Sequence, residues 1–256
     1  MERKLNRLLE TWVPGTVLTQ RRLDELGIYR QLVSKYVQHG WVRKLGVGAY
    51  ARAGDEVSWK GGLYALQTQL GMTAHVGAET ALGLSGFGHY VPLGTRHRVV
   101  LISDRPERLP MWFRQYPWGV DLVHHSLMLF DSVPEDASVP LDCGTFRVVM
   151  SSAERAIMEQ FRLARTNDEI EHALELLTGL TTLRPSVVQA LLVSCRSIKV
   201  KRLFLWAARD AGHPWADRLD CTLIELGTGK LQIYKGGRFN PGFRITVPPR
   251  EGMPHA

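Results

Sequence analysis

Residues 18–52, LTQRRLDELGIYRQLVSKYVQHGWVRKLGVGAYAR, decide the fold of the N-terminal part of this chain. They outline a helix, a tight turn, a second helix and a β-ribbon. Thr19 is placed to cap the first helix, its hydroxyl accepting an orphan N–H of the first turn. Leu23 and Leu26, three apart, share one face of that helix, and Gly27 supplies a turn residue that tolerates positive φ. Ile28 then seats the turn in a core. In the second helix, at about 100° per residue, Leu32, Val33, Tyr36 and Val37 fall on one side. Gln31, Ser34, Lys35 and Gln38 fall on the other, with Arg30 at the edge. This outer face carries amides, a hydroxyl and bases but no carboxylate. Amides and guanidinium groups read base edges in a major groove, whereas phosphate would repel a carboxylate. Gly40 stops the helix as a C′ residue. Residues 41–45 and 49–52 flank Gly46-Val47-Gly48 and make a hairpin bearing Arg43, Lys44 and Arg52. The pattern is that of a winged helix-turn-helix. The competing readings are a helical packing module with a solvated basic face and a winged domain that binds protein.

The chain of 256 residues is long enough for two or three domains, and its 45% apolar content is ordinary for a chain that buries substantial cores. The net charge of +7 is uneven. Residues 1–60 hold eleven Lys/Arg against six Asp/Glu, residues 61–150 six against eight, and residues 151–256 fifteen against eleven. The two ends therefore attract a polyanion and the middle does not. Cys143, Cys195 and Cys221 are scattered and lack C-x-x-C spacing, so neither a disulfide framework nor a zinc site is expected, which fits a reducing cytosol. The N-terminal MERKLNRLLETW reads as an amphipathic helix without a signal-peptide core. No apolar run approaches the ~20 residues of a membrane span. The expectation is a cytoplasmic protein with no membrane contact.

The expected fold class is α+β, with an N-terminal winged helix-turn-helix, a mixed α/β middle segment and a helical C-terminal part ending in a β-hairpin. The expected divisions are 1–55, 56–150 and 151–256, with 56–256 acting as one domain as the alternative. In the middle segment, GGLYALQTQLG is a helix, and HVGAETALGLSG a short strand and a second helix. Strands follow at residues 98–102, 120–124 and 146–150, separated by turns at Pro106, Pro110, Pro117, Pro134 and Pro140. Ser151 and Glu154 fit a capping box opening a helix over 153–164. Asn167 is placed to cap the next helix, with Ile170, Leu174 and Leu177 on one stripe and Gly179 ending it. Pro185 suits the first turn of a helix through Leu192, and residues 201–211 make another. A tail hairpin is expected from residues 231–234 and 243–247 around Gly236-Gly237.

Signals of catalysis are weak. Gly227-Thr228-Gly229-Lys230 lacks the upstream glycine and the Ser/Thr of a phosphate loop, and a turn is the better reading. Gly83, Gly86 and Gly88 do not have dinucleotide-fingerprint spacing. His124 and His125, adjacent on a strand, point to opposite faces, and His75, His89 and His97 have no metal-like spacing. Asp121 with Glu154 and Arg155 lacks the converging carboxylates and Lys of a nuclease. No catalytic residue, metal or cofactor is expected. The basic run from Arg196 to Arg202 reads either as a solvated helix start or as a contact for nucleic acid or an acidic partner.

With these residues in view, the chain resembles the AbiEi family, the antitoxins of a type IV toxin–antitoxin system. The most specific blocks are GTVLTQRRLDELGIYRQLVSKYVQHGW, GAYARAGDEVSWKGGLYALQTQLG and HVGAETALGLSGFGHY, and the likeness extends over nearly the whole length. It implies a winged domain that represses its own operon at inverted repeats, and a C-terminal domain counteracting a nucleotidyltransferase-like toxin encoded beside it. Type IV antitoxins are described as acting without a stable toxin complex, so direct contact does not follow from the resemblance. One position departs from the family pattern: Tyr29 stands where a Ser often begins the recognition helix, and its phenol is a candidate phosphate contact.

The resulting reading is an autoregulating DNA-binding antitoxin, not an enzyme. Gln31, Ser34, Lys35 and Gln38 read bases and Arg30 a base or the backbone. Arg43, Lys44 and Arg52 in the wing, with Arg21 and Arg22 on the first helix, hold phosphates. Arg155, Arg162, Arg165, Lys199, Lys201 and Arg202 are the candidate antitoxin surface. The rivals are a stand-alone winged-helix transcription regulator with a ligand- or partner-sensing domain, a nuclease with a winged targeting domain, and a winged module that binds only protein.

Overall fold

The computed structural model describes residues 2–87 and 97–249, so Gly88 and His89 lie outside the described residues. Close contacts divide the chain into two compact units that do not follow chain order. The first unit is Met1–Val76, Pro92–Ser126 and Pro140–Met150, and the second is Gly77–Val91, Leu127–Val139 and Ser151–Ala256.

The first unit opens with the winged module. Helix α1 (Glu2–Thr11) is followed by β1 (Leu18–Thr19), α2 (Gln20–Glu25), α3 (Arg30–Gln38), β2 (Val42–Gly46) and β3 (Ala49–Arg52). Leu5, Leu8 and Trp12 of the opening segment close over Leu23, Ile28, Val33, Tyr36 and Tyr50 in one apolar core. Leu26 departs from expectation. It is the C-cap of α2 and 38% exposed, because the chain leaves the helix there before a second apolar turn is completed. The wing also has a third strand that the sequence reading took only as a helix cap. Leu18 and Thr19 pair antiparallel with Tyr50 and Ala49, and two residues are too few to show a strand period.

The rest of this unit contains α4 (Trp59–Thr68) and, apart from Ser138, Val139 and Ser151, a five-stranded sheet in the order β6-β5-β4-β8-β7. These strands are β4 (His75–Val76), β5 (Arg98–Ser103), β6 (Asp121–Ser126), β7 (Ser138–Asp142) and β8 (Arg147–Ser151). β7 occupies a stretch read as a Pro140 turn. It lies at the end of the sheet order, where the missing N–H of proline is tolerated. A short helix, α6 (Met111–Gln115), also lies where only proline turns were expected; five residues are too few to establish a helical period.

The second unit begins with α5 (Ala78–Leu84) and ends with α7 (Ala153–Leu163), α8 (Asn167–Thr178), α9 (Pro185–Ser194), α10 (Ile198–Asp210) and the hairpin β9 (Arg238–Asn240) to β10 (Ile245–Val247). Two capping expectations are corrected here. Ser151 and Glu154 do not form a capping box. Ser151 ends β8 and its hydroxyl donates to Glu159, while the Glu154 carboxylate accepts from the Arg184 backbone N–H at 3.0 Å and guanidinium at 2.9 Å. Burial pushes the Glu154 carboxyl up, but the Arg184 guanidinium and N–H override that and hold it at about 2. Asn167 does not cap α8. Thr166 does, in a capping box with Glu169, and the Asn167 amide is engaged with the backbone of Lys235. The tail hairpin is displaced too. Its strands pair Asn240 with Ile245 and Arg238 with Val247, and Leu231 contributes only an isolated bridge. Among the described residues, no helix is long and apolar enough to cross a membrane.

Candidate nucleic-acid interface

Both helices of the helix-turn-helix are closed by backbone geometry that glycine permits. The N–H of Gly27 reaches Asp24 and that of Ile28 reaches Leu23, with Gly27 at φ +71°. The same pair of bonds recurs at the end of α3, from Gly40 to Val37 and from Trp41 to Tyr36, with Gly40 also at φ +71°. This motif satisfies the last carbonyls of a helix and turns the chain sharply. Thr19 caps α2 as expected, accepting from the Arg22 N–H. At the start of α3, Tyr29 is the N-cap, makes no side-chain cap and is 69% exposed. The departure from Ser therefore leaves the helix intact and its first-turn N–H groups without a side-chain acceptor.

With Val33 and Tyr36 buried, α3 turns Arg30, Gln31, Ser34, Lys35 and Gln38 to the exterior. The Ser34 hydroxyl donates to the Arg30 carbonyl at 3.0 Å, leaving its lone pairs outward. Arg21 and Arg22 are exposed and share Glu25, at 3.5 and 2.9 Å. The Arg22 hydrogen bond is the main reason the Glu25 carboxyl lies below its usual range. Exposed pairs of this kind contribute little to stability, so phosphate can displace Glu25 at little cost. The buried Gln20 ties α2 to the wing by accepting from the Tyr50 hydroxyl and donating to Asp24.

The wing is braced rather than free. Arg43 donates to the Tyr116 hydroxyl at 2.8 Å and to the Asp55 carbonyl at 3.2 Å. Gly46 lies so close to α6 that a Cβ there would come within 2.7 Å of the Trp112 Cβ. Of the three wing bases, Lys44 is exposed and Arg52 half-buried, and Arg43 is exposed but already partnered. At the tip stands Val47, 79% exposed between two glycines.

The six candidate antitoxin bases are not a common exposed patch. Arg155 is buried, held by Glu159 at 2.8 Å and by Ser138. Lys201 and Arg202 are buried on α10. Arg202 donates to the carbonyls of Leu226, Gly229 and Arg244. Lys199 is half-buried, its ammonium on the Ala164 carbonyl, and burial lowers its pKa. Arg162 and Arg165 are exposed. The run at residues 196–202, read either as a solvated helix start or as a contact for nucleic acid or an acidic partner, is largely taken up within the chain: Ser197 caps the helix through Val200, Arg196 pairs with Asp131, and neighbouring carbonyls take up Lys199 and Arg202.

The weak catalytic signals have structural partners. The bend at residues 227–230 turns the Gly229 and Thr228 carbonyls to Arg202 and Arg244, the opposite polarity from an N–H cradle for phosphate. His124 contacts the Ser103 hydroxyl at 2.9 Å, and burial lowers its pKa. His75 lies against the Thr73 carbonyl. Among the described residues, no group of three or more His, Cys, Asp or Glu is placed to hold a metal ion.

A winged helix-turn-helix on an α+β body places the chain in the broad class of winged-helix proteins. Two family models refine this. Residues 1–93 match the N-terminal domain of the AbiEi antitoxin, a transcriptional regulator, and residues 96–248 match the transcriptional regulator described as AbiEi antitoxin of the type IV toxin–antitoxin system. The chain belongs to this AbiEi antitoxin family of transcriptional regulators. Its fold is similar to that in the crystal structure of the RV2827C protein from Mycobacterium tuberculosis, with a TM-score of 0.55 and 14% identity over 95% of this chain and 89% of that one. No curated protein matches the chain.

Proposed function

We propose that this antitoxin represses its own operon by binding inverted repeats upstream of it, and that it counteracts a nucleotidyltransferase-like toxin encoded beside it. Residues 1–55 serve as the DNA-binding part and 56–256 together as the antitoxin part, without a stable toxin complex. The protein acts on DNA in the cytoplasm. The observation that carries the DNA reading is the outer face of α3, exposed along its length and free of carboxylates. In a major groove, Gln31 and Gln38 can pair with adenine and Lys35 and Arg30 with guanine. Lys44, Arg52, Arg21 and Arg22 reach phosphates, which set register without reading sequence. A phosphate at the start of α3 supplies the acceptor that Tyr29 does not, and offsets the unfavourable placement of Arg30 near the positive end of the helix dipole. Arg43 contributes by fixing the wing against Tyr116.

The test is a gel-shift on the chain's own upstream region against scrambled DNA at two salt concentrations. Specific binding is expected, falling about 10²- to 10³-fold between 50 and 200 mM salt if four to six phosphates are held. Lys35→Ala is expected to lose about 1–3 kcal/mol of discrimination while keeping its affinity for scrambled DNA. Equal retention of both DNAs by the wild type would sink the operator reading. Co-expression with the neighbouring gene tests the antitoxin half, which fails if growth is not rescued.

A further inference from the structure

Residues 226–249 carry Lys230, Lys235, Arg238 and Arg244 and no Asp or Glu. This segment folds over the buried Arg202, which engages three of its carbonyls. The backbone is thereby satisfied from below, while Lys230, Lys235, Arg238 and Arg244 remain exposed. Aromatic rings lie among these cations. The Lys230 ammonium is 5.2 Å from the centre of the Phe239 ring, and the Arg209 guanidinium of α10 is 5.3 Å from that of Phe243. Phe239 is 39% exposed. With Trp206, Arg238 and Asn240 it lines a cleft of about 270 Å3. That is just under the roughly 300–1,000 Å3 of small-molecule pockets, room for one flat ring. Asp210, the one acid among the described lining residues, has a partner of its own.

We infer that this cleft binds single-stranded nucleic acid, with a base stacked on Phe239 and Trp206 and the flanking phosphates held by Arg238 and Lys230. A duplex covers the faces of its bases with neighbouring pairs, so it would meet only the cations here. An unpaired base offers its π-face to an aromatic ring, and Asn240 can hydrogen-bond its edge. An acidic peptide would satisfy the cations but make no use of the exposed rings.

The experiment is fluorescence anisotropy of the full chain with a labelled short oligouridylate and an oligothymidylate at about 50 mM salt, where phosphate contacts are strong. Polyglutamate and an unrelated duplex are the competitors. Both single strands are expected to bind, and neither competitor should displace them at equal charge. Phe239→Ala should weaken binding roughly tenfold to a hundredfold, the worth of one stacked base. Phe239→Tyr should retain it, and Arg238→Ala should reduce its salt dependence. Lys35→Ala on α3 should leave it unchanged, which separates this site from the operator surface. Absence of single-strand binding, displacement by polyglutamate, or full binding by Phe239→Ala would each overturn the inference.

Discussion

Helices α3 and α10 are both basic and amphipathic, yet they put their charges to opposite uses. On α3, Arg30 and Lys35 stand outside a buried Val33–Tyr36 stripe. On α10, Lys201 and Arg202 are among the buried residues, and Arg202 is 1% exposed. The difference lies in what covers each helix. Nothing described lies over the outer face of α3, whereas Leu226 and Gly229 lay their carbonyls on the Arg202 guanidinium. A basic run is open to a polyanion only where no loop of the same chain reaches the charge first. The same run under a carbonyl-rich loop is a structural pin.

The largest effect that would break this contrast is at Arg202. Arg202→Ala removes the donor from the part-buried carbonyls of Leu226, Gly229 and Arg244 and opens a cavity, so a loss of about 3–5 kcal/mol is expected in urea unfolding. Lys35→Ala should stay within about 0.5 kcal/mol of wild type. Equal midpoints for the two variants would erase the distinction between pin and reader.

Next in size is the buried acid of the second unit. Glu154 is held at about 2 from an ordinary 4.5, so folding favours its ionised form. That stabilisation is fully present above the unfolded value and is lost as pH falls through the folded one, here between about 4.5 and 2. The Arg184 side chain is about half exposed and partly screened by solvent, so Arg184→Ala should cost about 1–2 kcal/mol at neutral pH and flatten the acid limb of the stability curve. An unchanged limb would show that the pair is not the acid-sensitive element.

The smallest effect sharpens the comparison from inside α3. The Tyr36 ring is fully buried and its hydroxyl has no hydrogen-bond partner among the described residues. Tyr36→Phe should therefore be neutral or stabilising by up to about 1 kcal/mol in the same unfolding assay, with DNA binding intact. A clear loss would mean that the inner face of α3 carries a polar duty as well as a packing one.

Legibility in the sequence followed the range of the interactions. The Thr19 cap, the turns at Gly27 and Gly40 and the buried stripe of α3 were readable because each depends on residues within about one turn. The capping box of α8 was written in Thr166 and Glu169 but obscured by Asn167, an equally good cap by type, whose amide is taken by Lys235 far along the chain. Ser151 and Glu154 have capping-box spacing, but their partners are Glu159 and Arg184. The same limit applies at the interface: spacing placed Arg43 on the wing, and only the fold shows it turned to Tyr116.

By itself the sequence determined the winged helix-turn-helix, the carboxylate-free face of α3 and the α+β class, since these rest on periodicity, glycine at left-handed positions and local charge. Only the tertiary structure decided which bases are free to meet a polyanion. Exposure is a property of what packs against a side chain, and the carbonyls that take up Arg202 arrive from 24 and 27 residues away. A buried guanidinium must be hydrogen-bonded to be tolerated, and no local pattern records where those acceptors will be.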